Sequence, residues 1–345
     1  MDDEAYRFQD QALPRAFGPA IGEAVIRKSP DDFRVDEILG FAADGEGEHC
    51  LMLVEKREAN TDWMAGQLAR LAGVRPRDVG YAGLKDRHAV TRQWFTVPWP
   101  AQGNPLDWEV PQGRVIEAHR HRRKLRPGAL TGNRFRLALR HVSADSGLLD
   151  QRLARIGSLG VPNYFGPQRF GRDGDNVIRL LTPPLPRRRK LRGLLLSAGR
   201  SWLFNAILAE RVGDDSWHRI LAGELPMLDG SNSHFVAEAD DPALADRCRR
   251  GDIDPSGAMW GQGGSPAGAS VAELEERIAA LHPALVKVLE EAGMRQERRA
   301  LRLPVRGLSW RQQDDCLWLD FRLPAGSYAT TVIREFLNVQ DGSKS

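Results

Sequence analysis

The sequence predicts an α+β fold in which one sheet-rich domain is interrupted by a mostly helical insertion. Three observations predict it. Period-two alternation of apolar residues is concentrated near the two ends of the chain, whereas the middle carries longer patterns with a period near 3.6. The character changes at Gly160-Val161-Pro162-Asn163-Tyr164-Phe165-Gly166, a loop signal. The length, 345 residues, suits about two domains. The expected division is residues 1–159 with 305–345 in one domain and residues 160–304 in the insertion.

The elements follow in order. Phe33 to Ile38 alternates and reads as a strand, Asp44 to Gly47 as a turn, and Cys50 to Val54 as a buried strand. Thr61 is placed to cap a helix over Asp62 to Ala72, with Trp63, Met64, Leu68 and Leu71 inward and Gly73 as the stop. A short apolar run at Val79 to Ala82 leads into a polar loop, Gly83 to Thr91, before a strand over Gln93 to Val97. Phe135, Leu137 and Leu139 alternate with polar or small residues. The insertion shows helices over Arg192 to Val212, Val271 to Leu281 and Pro283 to Ala292. Asp252 to Ser270, rich in Gly, Pro and Ser, reads as loop. Strands return at Val305 to Trp310 and Cys316 to Leu323, and a closing helix over Ala329 to Leu337 is expected, capped by Ser327. The pentapeptide Arg-Arg-Lys-Leu-Arg occurs at 122–126 and 188–192 with unlike flanks, so it is not a repeat.

Composition narrows the classes. The chain is 41% hydrophobic and 28% charged, which supports packed cores and argues against disorder. No uncharged apolar run reaches the roughly 18 residues of a membrane span. The acidic start Met1-Asp2-Asp3-Glu4 is followed by no apolar run, so no secretory leader is expected. Three scattered cysteines, Cys50, Cys248 and Cys316, make neither a disulfide framework nor a CxxC zinc site, and a reducing cytoplasm is the expected location. Net charge is only +3, but the basic residues are clustered. Arg120, Arg122, Arg123, Lys124 and Arg126 form one run beside His119 and His121; Arg187 to Arg192 forms a second, and Arg295 to Arg306 a looser third. Acidic residues gather elsewhere, as at Glu238 to Asp246. Such patches on a near-neutral chain suit a phosphate backbone held by one face, although each alone also fits a solvated surface.

Several chemistries lack their motifs. No GxxxxGK[ST] loop, HExxH helix, His-x-Glu with a downstream CxxC, or GxSxG elbow occurs, and Gly45-Glu46-Gly47 lacks the third glycine of a dinucleotide fingerprint. No metal and no cofactor is therefore expected, so side chains would carry any reaction. The informative stretch is Gly80-Tyr81-Ala82-Gly83-Leu84-Lys85-Asp86-Arg87-His88-Ala89-Val90-Thr91-Arg92-Gln93. Asp86 sits between Lys85 and Arg87, and neighbouring cations favour a carboxylate over its acid. A carboxylate can serve as nucleophile or general base. The triplet on its own also fits an exposed charged turn.

This stretch resembles the catalytic loop of the TruD family of tRNA pseudouridine synthases, matching at Ala82, Gly83, Lys85, Asp86, Arg87, Ala89, Thr91 and Gln93. The resemblance continues through Asp32-Phe33-x-Val35-x-Glu37, Gly45 to His49, Asn60-Thr61, Lys124-Leu125-Arg126 with Gly132 to Phe135, Gly160 to Gly171, and Pro324 to Thr330. The matches run from about residue 26 to 335, in the family's order.

The resemblance implies a pseudouridine-synthase-like sheet domain, mixed and antiparallel, with the family's insertion domain. It implies isomerisation of a uridine in tRNA, most simply uridine 13, without metal or cofactor, by a cytoplasmic monomer. Asp86 corresponds to the essential aspartate, which either adds to the ring or acts on the ribose at C2′; the sequence does not choose. Arg27 corresponds to the basic partner of that aspartate, with Lys28 as the alternative in a slipped register. Phe33 corresponds to an aromatic of the pocket, and Asn133 and Phe135 to the amide and ring that line it. Tyr328 corresponds to an aromatic that is often Phe in the family. The run Arg120, Arg122, Arg123, Lys124 and Arg126 would hold tRNA phosphates, which position RNA without reading its sequence. A non-catalytic RNA-binding protein on the same scaffold would be marked by loss of the surroundings of Asp86, and here they are intact.

Overall fold

The structure is a computed structural model that describes residues 3–99, 103–238 and 241–344. Met1 and Asp2 of the acidic start, and residues 239 and 240 of the acidic stretch, lie outside them. Two compact units result. One comprises Met1–Pro19, Ser158–Pro304 and Thr330–Glu335; the other comprises Ala20–Gly157, Val305–Ala329 and Phe336–Ser345.

The second unit is built on one mixed sheet. Its strands are β2 (Phe33–Leu39), β3 (His49–Arg57), β4 (Gly80–Tyr81), β5 (Val90–Pro98), β6 (Gly113–His121), β7 (Leu130–Leu139), β8 (Arg306–Gln313) and β9 (Cys316–Pro324), while β1 (Glu23–Ile26) pairs elsewhere, in parallel with β10 (Asn338–Asp341). The order is β8-β9-β7-β2-β5-β3-β6, with β4 added beside β5. Only the β2–β5 pairing is parallel within it.

Register decides what each face carries. Phe33, Val35 and Glu37 lie opposite Leu137, Phe135 and Asn133, and Phe135 and Asn133 lie opposite Phe321 and Leu323. Directly opposed residues share a face, so this face holds a continuous buried set. The other face holds the intervening charges as a lattice of ion pairs: Arg136 to Asp36 at 2.6 Å, Arg134 to Asp320 at 2.7 Å, and Arg140 to Asp32 at 2.6 Å. Helix α1 (Thr61–Leu71) covers part of the buried face, packing Met64, Ala65 and Leu68 against Met52, Val54 and Phe95. Strand β6, the sheet edge, was not legible as a strand because it is polar at most positions; a charged edge discourages pairing with other chains.

In the first unit, helix α2 (Arg189–Gly213) buries Leu195, Leu203, Phe204, Ile207 and Leu208, and helix α3 (Ala269–Leu281) buries Val271, Leu274 and Ile278. Asp252 to Ser270 is not all loop. Ser256–Met259 forms a strand that pairs antiparallel with Glu297–Ala300, and Ile253–Asp254 pairs with Met227–Leu228. The small residues that suggested loop serve close packing instead: a Cβ on Gly257 would press on Leu301 and the Phe204 ring.

Two segments depart from the expected domain boundaries. Residues up to Pro19 belong with the insertion because Phe8 stacks on Phe170 at 4.0 Å and Tyr6 lies 5.5 Å from Trp202. Thr330–Glu335 joins them because Arg334 donates to the carbonyls of Asp10 and Leu13, and Glu335 accepts from the amide of Ala16 at 2.8 Å. The closing helix is also shorter than expected, Ala329–Ile333, since the chain must leave it to form β10.

Candidate active site

The site grows from the loop between β4 and β5. Gly80 begins it where the backbone passes so close to Thr96 and the Leu125 carbonyl that no Cβ fits. The Gly83 carbonyl accepts from Gln93 Nε2 at 2.6 Å, and the Lys85 amide donates to Thr61 Oγ1 at 3.0 Å. Thr61 Oγ1 in turn donates to Gln93 Oε1 at 3.1 Å. Thr61 is thus not the cap of α1. Asn60 occupies that position, Thr61 is the first helical residue, and its hydroxyl serves the loop.

Lys85 does not flank Asp86 as its sequence position suggests. Its ammonium turns inward to Glu37 Oε1 at 2.6 Å, and the pair is almost fully buried. Glu37 Oε2 also accepts from the Trp94 amide at 2.9 Å, so the pair bolts the loop to the centre of the sheet. Asp86 is left outward, its side chain 51% exposed, with Arg27 Nη1 3.6 Å from its carboxylate. Arg27 holds Asp341 with its other terminal nitrogen at 3.0 Å, and its guanidinium lies over the Phe33 ring at 5.1 Å. Burial works against the Asp341 carboxylate, yet the Ser343 hydroxyl and Arg27 hold it below its ordinary pKa. Lys28, the slipped-register alternative, points to His141 at 2.7 Å instead.

Phe33 meets Phe135 edge to face at 6.3 Å, and Phe135 stacks on Phe321 at 5.5 Å. Asn133 is buried beside them, and its Oδ1 has no hydrogen-bond partner. A buried acceptor without a donor costs about 1–3 kcal/mol, so this amide is poised for one. The structure therefore brings Asp86, Arg27, Phe33, Asn133 and Phe135 to one face of the sheet. Tyr328 is half-buried in the turn after β9, and no hydrogen bond or ring contact ties it to these residues. Among the described residues no group of His, Cys, Asp and Glu could hold a metal, and no helix is long and apolar enough to cross a membrane.

The basic run is not one free surface. Arg122 pairs with Glu46, Arg120 bonds the Gly47 carbonyl at 2.7 Å and lies over Trp99, and Lys124 bonds the Arg77 carbonyl at 2.5 Å. Arg123 and Arg126 are exposed, and among the described residues their side chains make no hydrogen bond or ion pair.

Sequence reasoning missed Lys56, on β3 opposite Thr91. It is 1% exposed and donates to the Ala59 carbonyl at 2.7 Å. Burial, helped by the charge of Lys85 and opposed by Asp86 and Glu37, lowers its pKa to about 8. The only sequence signal was a lysine in an otherwise buried strand pattern. Between about pH 8 and its ordinary value of 10.5, the unfolded chain holds more protons at Lys56 than the folded chain, so stability rises with pH in that window. From pH 7 to 9.5 the wild-type protein should gain about 2 kcal/mol over Lys56→Met in denaturant unfolding. Parallel pH curves for the two proteins would contradict this reading of Lys56.

The comparisons with known proteins agree with one another. The family model described as tRNA pseudouridine synthase D (TruD) matches residues 19–177 and 185–336. A relative from Nitrosococcus oceani named tRNA pseudouridine synthase D is 49% identical over 348 residues, covering 98% of this chain and 97% of that relative. One of the same name from Pseudomonas aeruginosa is 47% identical over 334 residues, covering 94% of each. A crystal structure from Methanosarcina mazei, described as a tRNA pseudouridine synthase D, superposes with a TM-score of 0.74 at 19% identity, over 99% of this chain and 98% of that one. That likeness establishes the expected α+β, pseudouridine-synthase-like fold. With the full-length identity to the curated relatives and the family match across both units, it follows that the chain belongs to the tRNA pseudouridine synthase D family.

Proposed function

We propose that the protein isomerises uridine 13 of tRNA to pseudouridine and that Asp86 is the catalytic carboxylate. The observation that carries the reading is the outward Asp86 carboxylate, braced by Arg27 whose guanidinium lies over Phe33, beside the sheet face that also holds Phe135 and the unpartnered Asn133 Oδ1. A flipped uracil presents an N3–H donor between two carbonyl acceptors. Asn133 can match that edge, and the rings can flank the base plane. In the reaction the N1–C1′ bond breaks, the uracil turns, and a C5–C1′ bond forms; the C5 proton is lost and N1 gains one, so atoms balance with no redox partner. Asp86 serves either by adding to the ring or by taking the C2′ proton. Arg27 keeps its carboxylate in place. A role for Tyr328, in the turn after β9, rests on the family resemblance alone.

In this reading the sheet domain, residues 1–159 with 305–345, carries the chemistry, apart from the two segments that pack with the other unit. Residues 160–304 contribute RNA contacts. Mapping pseudouridine in tRNA from cells with and without the gene tests it: modification of position 13 should vanish with the gene. Persistence at that position would refute the assignment.

Phosphate contacts should come chiefly from the unpaired members of the basic run. Each cation that neutralises a phosphate releases counterions, so the salt dependence of affinity counts contacts. Arg123→Ala with Arg126→Ala should weaken tRNA binding and flatten the slope of log affinity against log salt by about one to two units. An unchanged slope with normal affinity would remove the run from the RNA-binding surface.

A further inference from the structure

The loop that carries Asp86 holds a second feature the reaction has not used. Leu84 is 72% exposed, although it lies between residues that are tied down on both sides. The Gly83 carbonyl is bonded to Gln93, the Lys85 amide to Thr61, and the Lys85 side chain to buried Glu37. Ala82, also buried, accepts from the Gly128 amide at 2.7 Å. The backbone on both sides of Leu84 is therefore held in place. Leaving a leucine in water rather than in a core forgoes the gain of burying it. Scattered exposed leucines need no explanation. This one stands two residues from the outward carboxylate, on backbone fixed by buried side chains.

A base can reach Asp86 only after it leaves its stack, which costs stacking and pairing energy. Proteins that unstack bases meet that cost with an apolar side chain placed where the base was. We infer that Leu84 is a positioning residue that enters the nucleotide stack and occupies the place vacated by the target uridine. The substrate it implies is a uridine stacked within a structured RNA rather than one in a free single strand. This inference rests on the Asp86 reading above, since it assumes that a flipped uridine enters that site.

The test uses an RNA helix with 2-aminopurine as the neighbour of the target uridine, bound to full-length protein carrying Asp86→Asn so that the complex does not turn over. The Asp86→Asn protein should raise 2-aminopurine fluorescence severalfold as the neighbouring stack opens. Adding Leu84→Ala should abolish most of that rise, and adding Leu84→Met, which keeps an apolar chain of similar length, should restore it. Anisotropy of the same RNA should report binding within about threefold for all three proteins, because Leu84 acts on the opened state and not on phosphate contacts. An equal rise with Leu84→Ala would overturn the wedge. Loss of binding with Leu84→Ala would make the residue an affinity contact and overturn it too. No rise with Asp86→Asn alone, despite binding, would overturn both the wedge and the flipped-base reading, and so separates the two failures.

Discussion

Asp86→Asn is expected to lower the single-turnover rate of pseudouridine formation by at least about a thousandfold, roughly 4 kcal/mol of barrier. The amide keeps the shape of the side chain and removes the charge and the basic oxygen. Folding should survive, because the carboxylate is half-exposed and Arg27 keeps its bond to Asp341. Unfolding free energy within about 1 kcal/mol of wild type, with tRNA affinity little changed, is the expected control. A rate within tenfold of wild type would show that Asp86 is not the reacting group.

The largest effect on stability should come from the first unit. Arg298 Nη1 meets both oxygens of Glu275 at 2.8 Å, and the pair is essentially sealed from solvent. Glu275 also accepts from the Ala258 amide at 3.0 Å, while Arg298 bonds both Ser256 oxygens. Glu275→Ala leaves a buried guanidinium and an unpaired amide, a loss of about 3–5 kcal/mol. For a unit of this size that is a fall in melting temperature of roughly 10 °C. Replacing both partners, Glu275→Leu with Arg298→Met, should recover much of the loss, because no buried charge is then left alone. Arg277→Ala breaks a pair whose members are 58% and 53% exposed and should cost less than about 1 kcal/mol. Equal losses for Glu275→Ala and Arg277→Ala would contradict the role of burial.

The central strands were legible because apolar residues alternate along them: Phe33, Val35 and Glu37 of one, and Asn133, Phe135, Leu137 and Leu139 of the other, lie on the buried face. The loop of Asp86 was legible through its residue pattern. What the sequence could not show is direction. Lys85 and Arg87 look equivalent beside Asp86, and only the position of β2 puts Glu37 beneath Lys85 and draws that ammonium inward. The pairing of Arg27 with Asp341 joins residues more than three hundred positions apart, and local pattern carries no trace of it. Thr61 reads as a cap because its type suits one, yet its hydroxyl is taken by the loop and by Gln93. Arg122 reads as free for phosphate, and Glu46 claims it. The strand at Ser256–Met259 was hidden because glycine and serine there satisfy close packing rather than turns.

The central claim is tested most directly by incubating the purified protein with an unmodified tRNA transcript in the presence of EDTA and locating pseudouridine by site-resolved chemical mapping. The account predicts pseudouridine at position 13, with no change in the mass of the tRNA and no need for an added metal or nucleotide. A transcript that binds the protein and stays wholly uridine, or that is modified only at another position, would contradict it.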